Sequence, residues 1–166
     1  MPCSARFVCC GITPKAKGKL EVYELKQGKL EVVAEKIHGS GFKCGTFGAS
    51  SLSERSIATG DYKGGLNIFD LERLDVPTFS IPTAHSQIIN GIDGVGGLGI
   101  GGGAPELVTG SRDGCVRVWD PRVKESVVSL EPVEGQPVRD CWTVAFGNSV
   151  GDERCIAAGY DNGDVK

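Results

Sequence analysis

Short runs of alternating apolar and polar residues follow one another along most of the chain, and glycine-containing turns separate them. The segment CVRVWD at 115–120 is typical of these runs. A period near two residues predicts β-strands with one buried face, whereas a helix would repeat every ~3.6 residues. No stretch shows a convincing helical stripe, so the pattern predicts an all-β protein.

The turns between these runs carry the residues that tight hairpins require. Lys63-Gly64, Asp113-Gly114 and Asn162-Gly163 each place glycine second, and such turns need a positive φ that glycine adopts without strain. The motif GKLEV occurs twice, on either side of Lys26-Gln27-Gly28. This arrangement predicts a hairpin, although the residue propensities alone would also suit a helix.

The chain repeats itself at intervals close to 50 residues. Gly60, Gly110 and Gly159 stand 50 and 49 residues apart, and Phe69 falls in the column of Trp119. A strand-rich repeat of about this length is typical of propeller blades. We therefore expect antiparallel four-stranded units at about 5–36, 41–82, 87–131 and 139–166. The first unit is expected to lack its first strand, and the fourth to be incomplete.

Composition and charge argue against several classes of function. The formal net charge is −3, with lysine and arginine spread along the chain, which argues against a nucleic-acid partner. No apolar run approaches the roughly 20 residues of a membrane span, and the first lysines follow the N-terminal apolar patch, so we expect neither a membrane segment nor a secretory signal. The seven cysteines include no C-x-x-C pair. They predict reduced thiols in a cytoplasmic protein, with no metal site and no cofactor.

The third unit resembles a WD repeat. Its segment VTGSRDGCVRVWDP, with His85 upstream, is the strongest match, while Phe69 replaces the tryptophan in the second unit and Tyr23-Glu24 replaces the Trp-Asp pair in the first. In the WD-repeat family such units are the blades of a β-propeller. The resemblance implies a single domain over 1–166, built as an all-β partial propeller of about three and a half four-stranded antiparallel blades.

Further segments resemble WD-repeat proteins that are linked to the assembly of axonemal dynein arms. They include PCSARFV at 2–8, KCGTFGAS at 43–50 and RDCWTVAFGN at 139–148. The resemblance implies a cytoplasmic, non-enzymatic scaffold, either an adaptor or a co-chaperone. Its partners would be dynein chains and subunits of the RuvB-like and prefoldin-like chaperone machinery. An adaptor in ubiquitin ligation or signalling is the alternative within the same fold.

The same resemblance implies that the chain matches only the first half of the family pattern. A blade buries its faces against two neighbours, and typically about 4–8 blades close the ring. A partial ring would leave two apolar faces and unpaired strand edges open. We therefore expect the chain alone to be poorly stable or to self-associate through its open edges.

The glycine-rich stretch at 91–105, GIDGVGGLGIGGGAP, is the best sequence indication of an enzyme. Its glycines within 94–103 fit G-x-G-x-x-G, a motif that leads from a strand into a helix in dinucleotide-binding proteins. Here Ala104-Pro105 and a strand-like segment follow, so we interpret the stretch as a connection between strands enlarged by four residues. A nucleotide-binding enzyme that uses loop 94–103 is the remote alternative.

Four residues of the third unit are candidates for a structural hydrogen-bond network. By resemblance to WD blades, this buried network would comprise His85, Thr109, Asp113 and Trp119. The types of His85 and Asp113, together with Ser111 or Thr109, also match a hydrolase triad. No G-x-S-x-G elbow is present, so we expect no catalytic residue.

The turns and inter-blade connections of a propeller crowd one face, which we expect to contact protein partners. Tyrosine and arginine dominate protein-binding hot spots, and both occur there. The candidate residues are Asp61, Tyr62, Lys63, Arg112, Arg139, Asp140, Tyr160 and Asp161. For any one of them alone, an ordinary solvated rim is the simpler interpretation. Trp142, within RDCWTVAF, is expected to lie in the core.

Overall fold

The computed structural model describes residues 5–48, 50, 54–95, 106–147 and 155–166, and these ranges contain strands and turns but no helix. The strands in chain order are β1 Ala5–Ile12, β2 Gly18–Lys26, β3 Lys29–His38, β4 Phe42–Thr46, β5 Ser56–Asp61, β6 Leu66–Asp70, β7 Phe79–Ile81, β8 Ile89–Val95, β9 Glu106–Ser111, β10 Val116–Trp119, β11 Ser126–Leu130, β12 Cys141–Gly147 and β13 Cys155–Tyr160.

Within the described residues, neighbouring strands form four antiparallel sheets. Sheet 1 has the order β1-β2-β3, sheet 2 the order β4-β5-β6-β7, sheet 3 the order β8-β9-β10-β11, and sheet 4 pairs β12 with β13. A bridge between Gly159 and Val165 extends sheet 4 by the beginning of a third strand. The all-β partial propeller is thus confirmed. The assignment of 1–166 to one domain, with the unit bounds given above, stays a prediction.

The hairpin turns have the backbone conformation that their sequences predict. Gly64, Gly114 and Gly163 have φ angles of 83°, 80° and 88°. Gln27 and Gly28 both have positive φ, at 51° and 78°, and they join β2 to β3. Two successive positive φ angles match the right-handed twist of the flanking strands, so the predicted hairpin between the two GKLEV copies is confirmed.

Successive sheets pack against one another along the series. β1 contacts β4, β4 contacts β8, and β8 contacts β12. Phe69 of sheet 2 is buried against sheet 1, and Trp119 of sheet 3 is buried against sheet 2. The buried core between sheets 3 and 4 consists of Val108, Val116, Val118, Cys141, Val144 and Ala158. The middle strands of the inner sheets, β5 and β6 in sheet 2 and β9 and β10 in sheet 3, are therefore largely buried on both faces, as propeller packing requires.

No described strand covers the outer face of the first sheet or of the last sheet. Val8 and Val22 pack towards sheet 2, so their strand neighbours Phe7 and Tyr23 point the other way, and Phe7 is 50% exposed. On sheet 4, Trp142 is 58% exposed. The prediction that Trp142 lies in the core is wrong, because none of the described strands packs on that side of β12.

The glycine-rich stretch at 91–105 begins within a strand of sheet 3, since its residues 91–95 belong to β8. β8 ends at Val95 and its partner β9 begins at Glu106, while residues 96–105, and with them most of loop 94–103, fall outside the described residues. One glycine of the stretch has a packing reason: a Cβ on Gly94 would collide with the backbone of Gly48, which follows β4 of sheet 2. The lack of a side chain at Gly94 therefore allows β8 to pack closely against the segment that follows β4.

Candidate functional site

One end of the four sheets carries the hairpin turns after β1, β5, β9 and β13 together with the connections between sheets, and we call this end the turn face. In sheets 2 to 4 the two kinds of segment meet because the second strand ends beside the start of the antiparallel first strand, and in sheet 1 the end of β1 lies beside the start of β2 and the end of β3. The hairpin turns are 13–17, 62–65, 112–115 and 161–164, and the connections are 39–41, 82–88 and 131–140.

The structure brings the four network residues of sheet 3 together beneath this face. The His85 ring, whose residue is 1% exposed, places Nδ1 at 3.1 and 3.2 Å from the two carboxylate oxygens of Asp113. Its Nε2 lies 2.8 Å from Thr109 Oγ1, and Trp119 Nε1 donates to the same oxygen at 2.8 Å. All contacts are satisfied when Nδ1 donates to Asp113 and the Thr109 hydroxyl donates to Nε2.

The Asp113 carboxylate is the charged member of the network. Burial by itself would raise the pKa of Asp113. The hydrogen bond from His85 and the backbone N–H groups of Ser86 and Cys115 outweigh burial and hold the pKa well below its ordinary value. The carboxylate is therefore ionised at neutral pH. Its hydrogen bonds with His85 and Ser86 link the connection 82–88 to the turn 112–115.

Sheet 2 has a different arrangement at the same place. His38 stands four residues before Phe42, as His85 stands four residues before Ile89. The His38 Nε2 lies 3.7 Å from Asp61 Oδ2, and its ring stacks on Phe42 at 5.2 Å between centroids. Sequence reasoning missed this pair, although counting back from the first strand of each sheet would have revealed the histidine.

The predicted rim residues of sheet 2 are placed in two different environments. Tyr62 is 39% exposed, and Lys63 is also exposed. Asp61, in contrast, is 4% exposed, and its carboxylate accepts the backbone N–H groups of Lys63 at 2.7 Å and Gly65 at 2.9 Å. The Asp61 side chain therefore shapes the turn from within and presents little surface to a partner.

The predicted rim residues of sheets 3 and 4 lie close together. Arg112 Nε is 3.4 Å from Asp140 Oδ2, so an ion pair links the turn of sheet 3 to the connection entering sheet 4. Arg139 and Asp161 are exposed. Tyr160 is half-buried, and its ring lies under the Lys166 ammonium group at 5.3 Å.

The described residues contain neither a metal-binding cluster nor a membrane-spanning helix. Among the described residues, no group of three or more histidine, cysteine, aspartate or glutamate side chains is arranged to hold a metal ion. In the same part of the chain, no helix could cross a membrane.

Comparisons with known proteins point in one direction. No family model matches the chain. Proteins named "Dynein axonemal assembly factor 10" from Xenopus laevis, Homo sapiens and Chlamydomonas reinhardtii are 56%, 54% and 54% identical to it. Each match includes 100% of this chain and 47% of the relative, so the chain spans about half the length of these proteins.

A solved structure supports the fold independently of close sequence similarity. The crystal structure of Saccharomyces cerevisiae Sqt1 superposes with a TM-score of 0.69 over 94% of this chain and 45% of the Sqt1 chain, at 16% identity. Such a likeness concerns the fold alone. The chain is thus a partial β-propeller that is similar, over its whole length, to about half of the proteins named dynein axonemal assembly factor 10.

Proposed function

We propose that the chain forms part of a non-enzymatic cytoplasmic scaffold that assists the assembly of axonemal dynein arms. The observation that carries this proposal is the 54–56% identity over the whole chain to proteins named for that role. The fold itself does not specify a partner, since propellers host many functions. A series of packed sheets nevertheless offers a broad and rigid surface, which suits an adaptor.

We propose that client or chaperone segments dock on the turn face without covalent chemistry. Tyr62 and Arg112 occupy equivalent positions in sheets 2 and 3. Their backbone N–H groups donate to Gly41 O at 3.0 Å and to Ile88 O at 2.9 Å. Fixed main chains lower the conformational entropy that these side chains lose when a partner binds. The clients would be dynein chains, and the RuvB-like and prefoldin-like chaperone subunits would be the co-workers.

Affinity capture from ciliated cells tests this proposal. The tagged protein should recover axonemal dynein chains and chaperone subunits, as identified by mass spectrometry. The variant Arg112→Glu with Asp161→Lys should recover less of them, because both charges lie on the turn face. The control Lys29→Glu with Lys124→Glu changes exposed charges at the opposite end and should leave recovery unchanged. Recovery of ubiquitin-ligase subunits alone would instead favour the alternative adaptor.

We also propose that this chain by itself self-associates through the open faces of sheets 1 and 4. Phe7 and Trp142 expose large apolar side chains on those faces, and association would remove this apolar surface from water. Sedimentation velocity should show a weight-average mass that rises with concentration. A monodisperse monomer that melts cooperatively would contradict this proposal.

A further inference from the structure

The turn face is divided into a basic half and an acidic half. On sheets 1 and 2 its turns carry the exposed lysines Lys15, Lys17 and Lys63, and the exposed Lys43 lies beside them as the second residue of β4. The only carboxylate within these turns, or at the strand ends beside them, is that of the buried Asp61. On sheets 3 and 4 the turns and connections carry six carboxylates, and three arginines lie within them or at the start of β10. The carboxylates are Asp113, Glu131, Glu134, Asp140, Asp161 and Asp164, and the arginines are Arg112, Arg139 and Arg117, the last of which pairs with Glu131. The net charge of the whole chain, −3, gives no sign of this separation of basic from acidic residues.

The four lysines of the basic half have no ionic partner among the described residues. Several cations elsewhere are paired: Lys19 Nζ lies 2.9 Å from a carboxylate oxygen of Glu21 and 3.0 Å from one of Glu35. Arg112 is likewise paired with Asp140. Lys29 and Lys124, at the opposite end, share the lack of an ionic partner among the described residues, but they lie in two different sheets. A cluster of like charges without partners raises the local potential and attracts an opposite charge from solution.

An apolar centre lies within the basic half. The Ile12 side chain is 52% exposed and packs so close to Gly41 that a Cβ there would come within 2.8 Å of it. The Gly41 carbonyl accepts the Tyr62 N–H at 3.0 Å, so the Tyr62 main chain lies beside the same glycine. The turn 13–17 adds Lys15 and Lys17 beside Ile12, and Lys63 follows Tyr62 directly.

We propose that this basic half, made of the four lysines around Ile12 and Tyr62, binds an acidic segment of a partner protein that carries an aliphatic or aromatic side chain. The carboxylates of the segment would face the lysine ammonium groups, and its apolar side chain would contact Ile12 and the Tyr62 ring. An apolar centre with a charged rim is the usual anatomy of a protein-binding patch. This inference rests on the docking role proposed above and specifies the chemical character of the segment that docks.

The same charges would also attract a nucleic acid, but the surroundings favour a peptide. A single-stranded nucleic acid needs a continuous basic groove and several aromatic platforms, whereas Tyr62 is the one exposed aromatic residue in this patch, since Phe42 beside Lys43 is buried. The neighbouring half of the face carries six carboxylates and would repel a phosphate chain that continued beyond the lysines. A peptide, in contrast, can carry its acidic residues only where it contacts the lysines and be uncharged beyond them.

Fluorescence anisotropy with a synthetic probe tests the proposal. The probe is a short fluorescein-labelled peptide of alternating glutamate and leucine, titrated with the purified full chain at low salt. Binding is expected, and it should weaken as salt is added, because exposed charges are screened. The variant Lys43→Glu with Lys63→Glu should raise the Kd about tenfold or more, since two favourable charges become repulsive. Tyr62→Ala should weaken binding by a smaller factor.

The matched control is Lys29→Glu with Lys124→Glu. It makes the same change in net charge at exposed positions of the opposite end and should change the Kd less than about twofold. Equal weakening by both pairs would overturn the site, because attraction would then follow total charge alone. A single-stranded oligonucleotide of equal charge that bound as tightly as the peptide would overturn the choice of a protein partner.

Zero-length carbodiimide cross-linking gives a second readout that does not depend on the variants. The peptide carboxylates should form amide bonds, with loss of water, to the amines of Lys15, Lys17, Lys43 and Lys63, as mapped by mass spectrometry. Cross-links spread evenly over all lysines would overturn the proposal. Failure of the peptide to bind, with dynein chains still captured from cells, would reject this inference alone. Peptide binding without such capture would reject the proposed function and leave the basic half as an acidic-peptide site.

Discussion

Sheets 2 and 3 build the same corner of a blade in two ways. In sheet 3, His85 links Asp113 and Thr109, and Trp119 completes the chain by donating its N–H to Thr109. In sheet 2 the equivalent histidine, His38, lies among aromatic rings. The difference shows that one backbone frame is fixed by a buried polar network in one blade and by aromatic packing in the next.

The position of the carboxylate separates the two solutions. Sheet 3 has Ser111 before the turn and Asp113 within it, whereas sheet 2 has Asp61 before the turn and Lys63 within it. Both arrangements supply an acceptor for the turn backbone, since Ser111 Oγ accepts the Asp113 N–H at 3.1 Å and Asp61 accepts that of Lys63 at 2.7 Å. Because Asp61 already accepts the turn N–H groups of sheet 2, position 63 does not need a carboxylate, and the exposed Lys63 occupies it.

Truncation of the two histidines should have the largest and most unequal effect. His85→Ala leaves Asp113 and Thr109 without their shared partner in a buried site and should lower the free energy of unfolding by about 3 kcal/mol. His38→Ala removes a side chain that is 25% exposed and should cost about 1 kcal/mol. Urea unfolding followed by tryptophan fluorescence measures both. Equal losses would contradict the distinction between network and packing.

The charge of Asp113 should make its contribution depend on pH. Because the folded-state pKa lies below the ordinary value of 3.8, the contribution is fully present above that value and is lost as the pH falls below it. Wild type should exceed Asp113→Asn by about 2 kcal/mol near neutrality. The difference should shrink below about pH 4, as measured by urea midpoints from neutral to acidic pH. A difference that stays constant to the lowest pH would argue against an ionised carboxylate in the network.

Removal of the indole N–H should have a smaller effect. Trp119→Phe makes sheet 3 resemble sheet 2 at this position and leaves Thr109 without a donor, so a loss of about 1 to 2 kcal/mol is expected in chemical denaturation. The matched control is Trp142→Phe, which changes an exposed tryptophan and should alter stability by less than about 0.5 kcal/mol. Comparable losses from the two variants would mean that ring size, and not the hydrogen bond, matters.

Much of the fold could be predicted because local signals repeat. The glycine turns at Gly64, Gly114 and Gly163 require positive φ, and they mark the same point in successive units of the repeat. The exposure of Trp142 could not be predicted from its apolar surroundings in sequence. Whether a strand face is buried depends on which sheet lies beyond it, and alternation along one strand carries no such information.

The sheet 3 residues could be singled out because a known family pattern fits them residue by residue. His38 and Asp61 escaped the same reasoning, because Lys63 stands at the turn position where the pattern has aspartate. The Asp61 carboxylate stands two residues before the turn position at which the pattern has aspartate. Its role is therefore found only when the three-dimensional register is known. The ion pair between Arg112 and Asp140 likewise joins two segments whose spacing carries no signal.

Exchange of the turn residues in sheet 2 should have the smallest net effect and gives the sharpest test of the comparison. Asp61→Ser alone removes the acceptor of two backbone N–H groups, and Lys63→Asp alone sets a second carboxylate beside Asp61, so each should cost about 1 kcal/mol. The double variant has the Ser–x–Asp order of sheet 3, in which the new carboxylate should reach His38. It should therefore be about 1 kcal/mol more stable than the sum of the single changes. The gain stops short of a full network because the Phe69 side chain, unlike the Trp119 indole, has no N–H to donate to Thr59. Strict additivity in the same urea experiment would show that the turn position does not decide how the histidine is held.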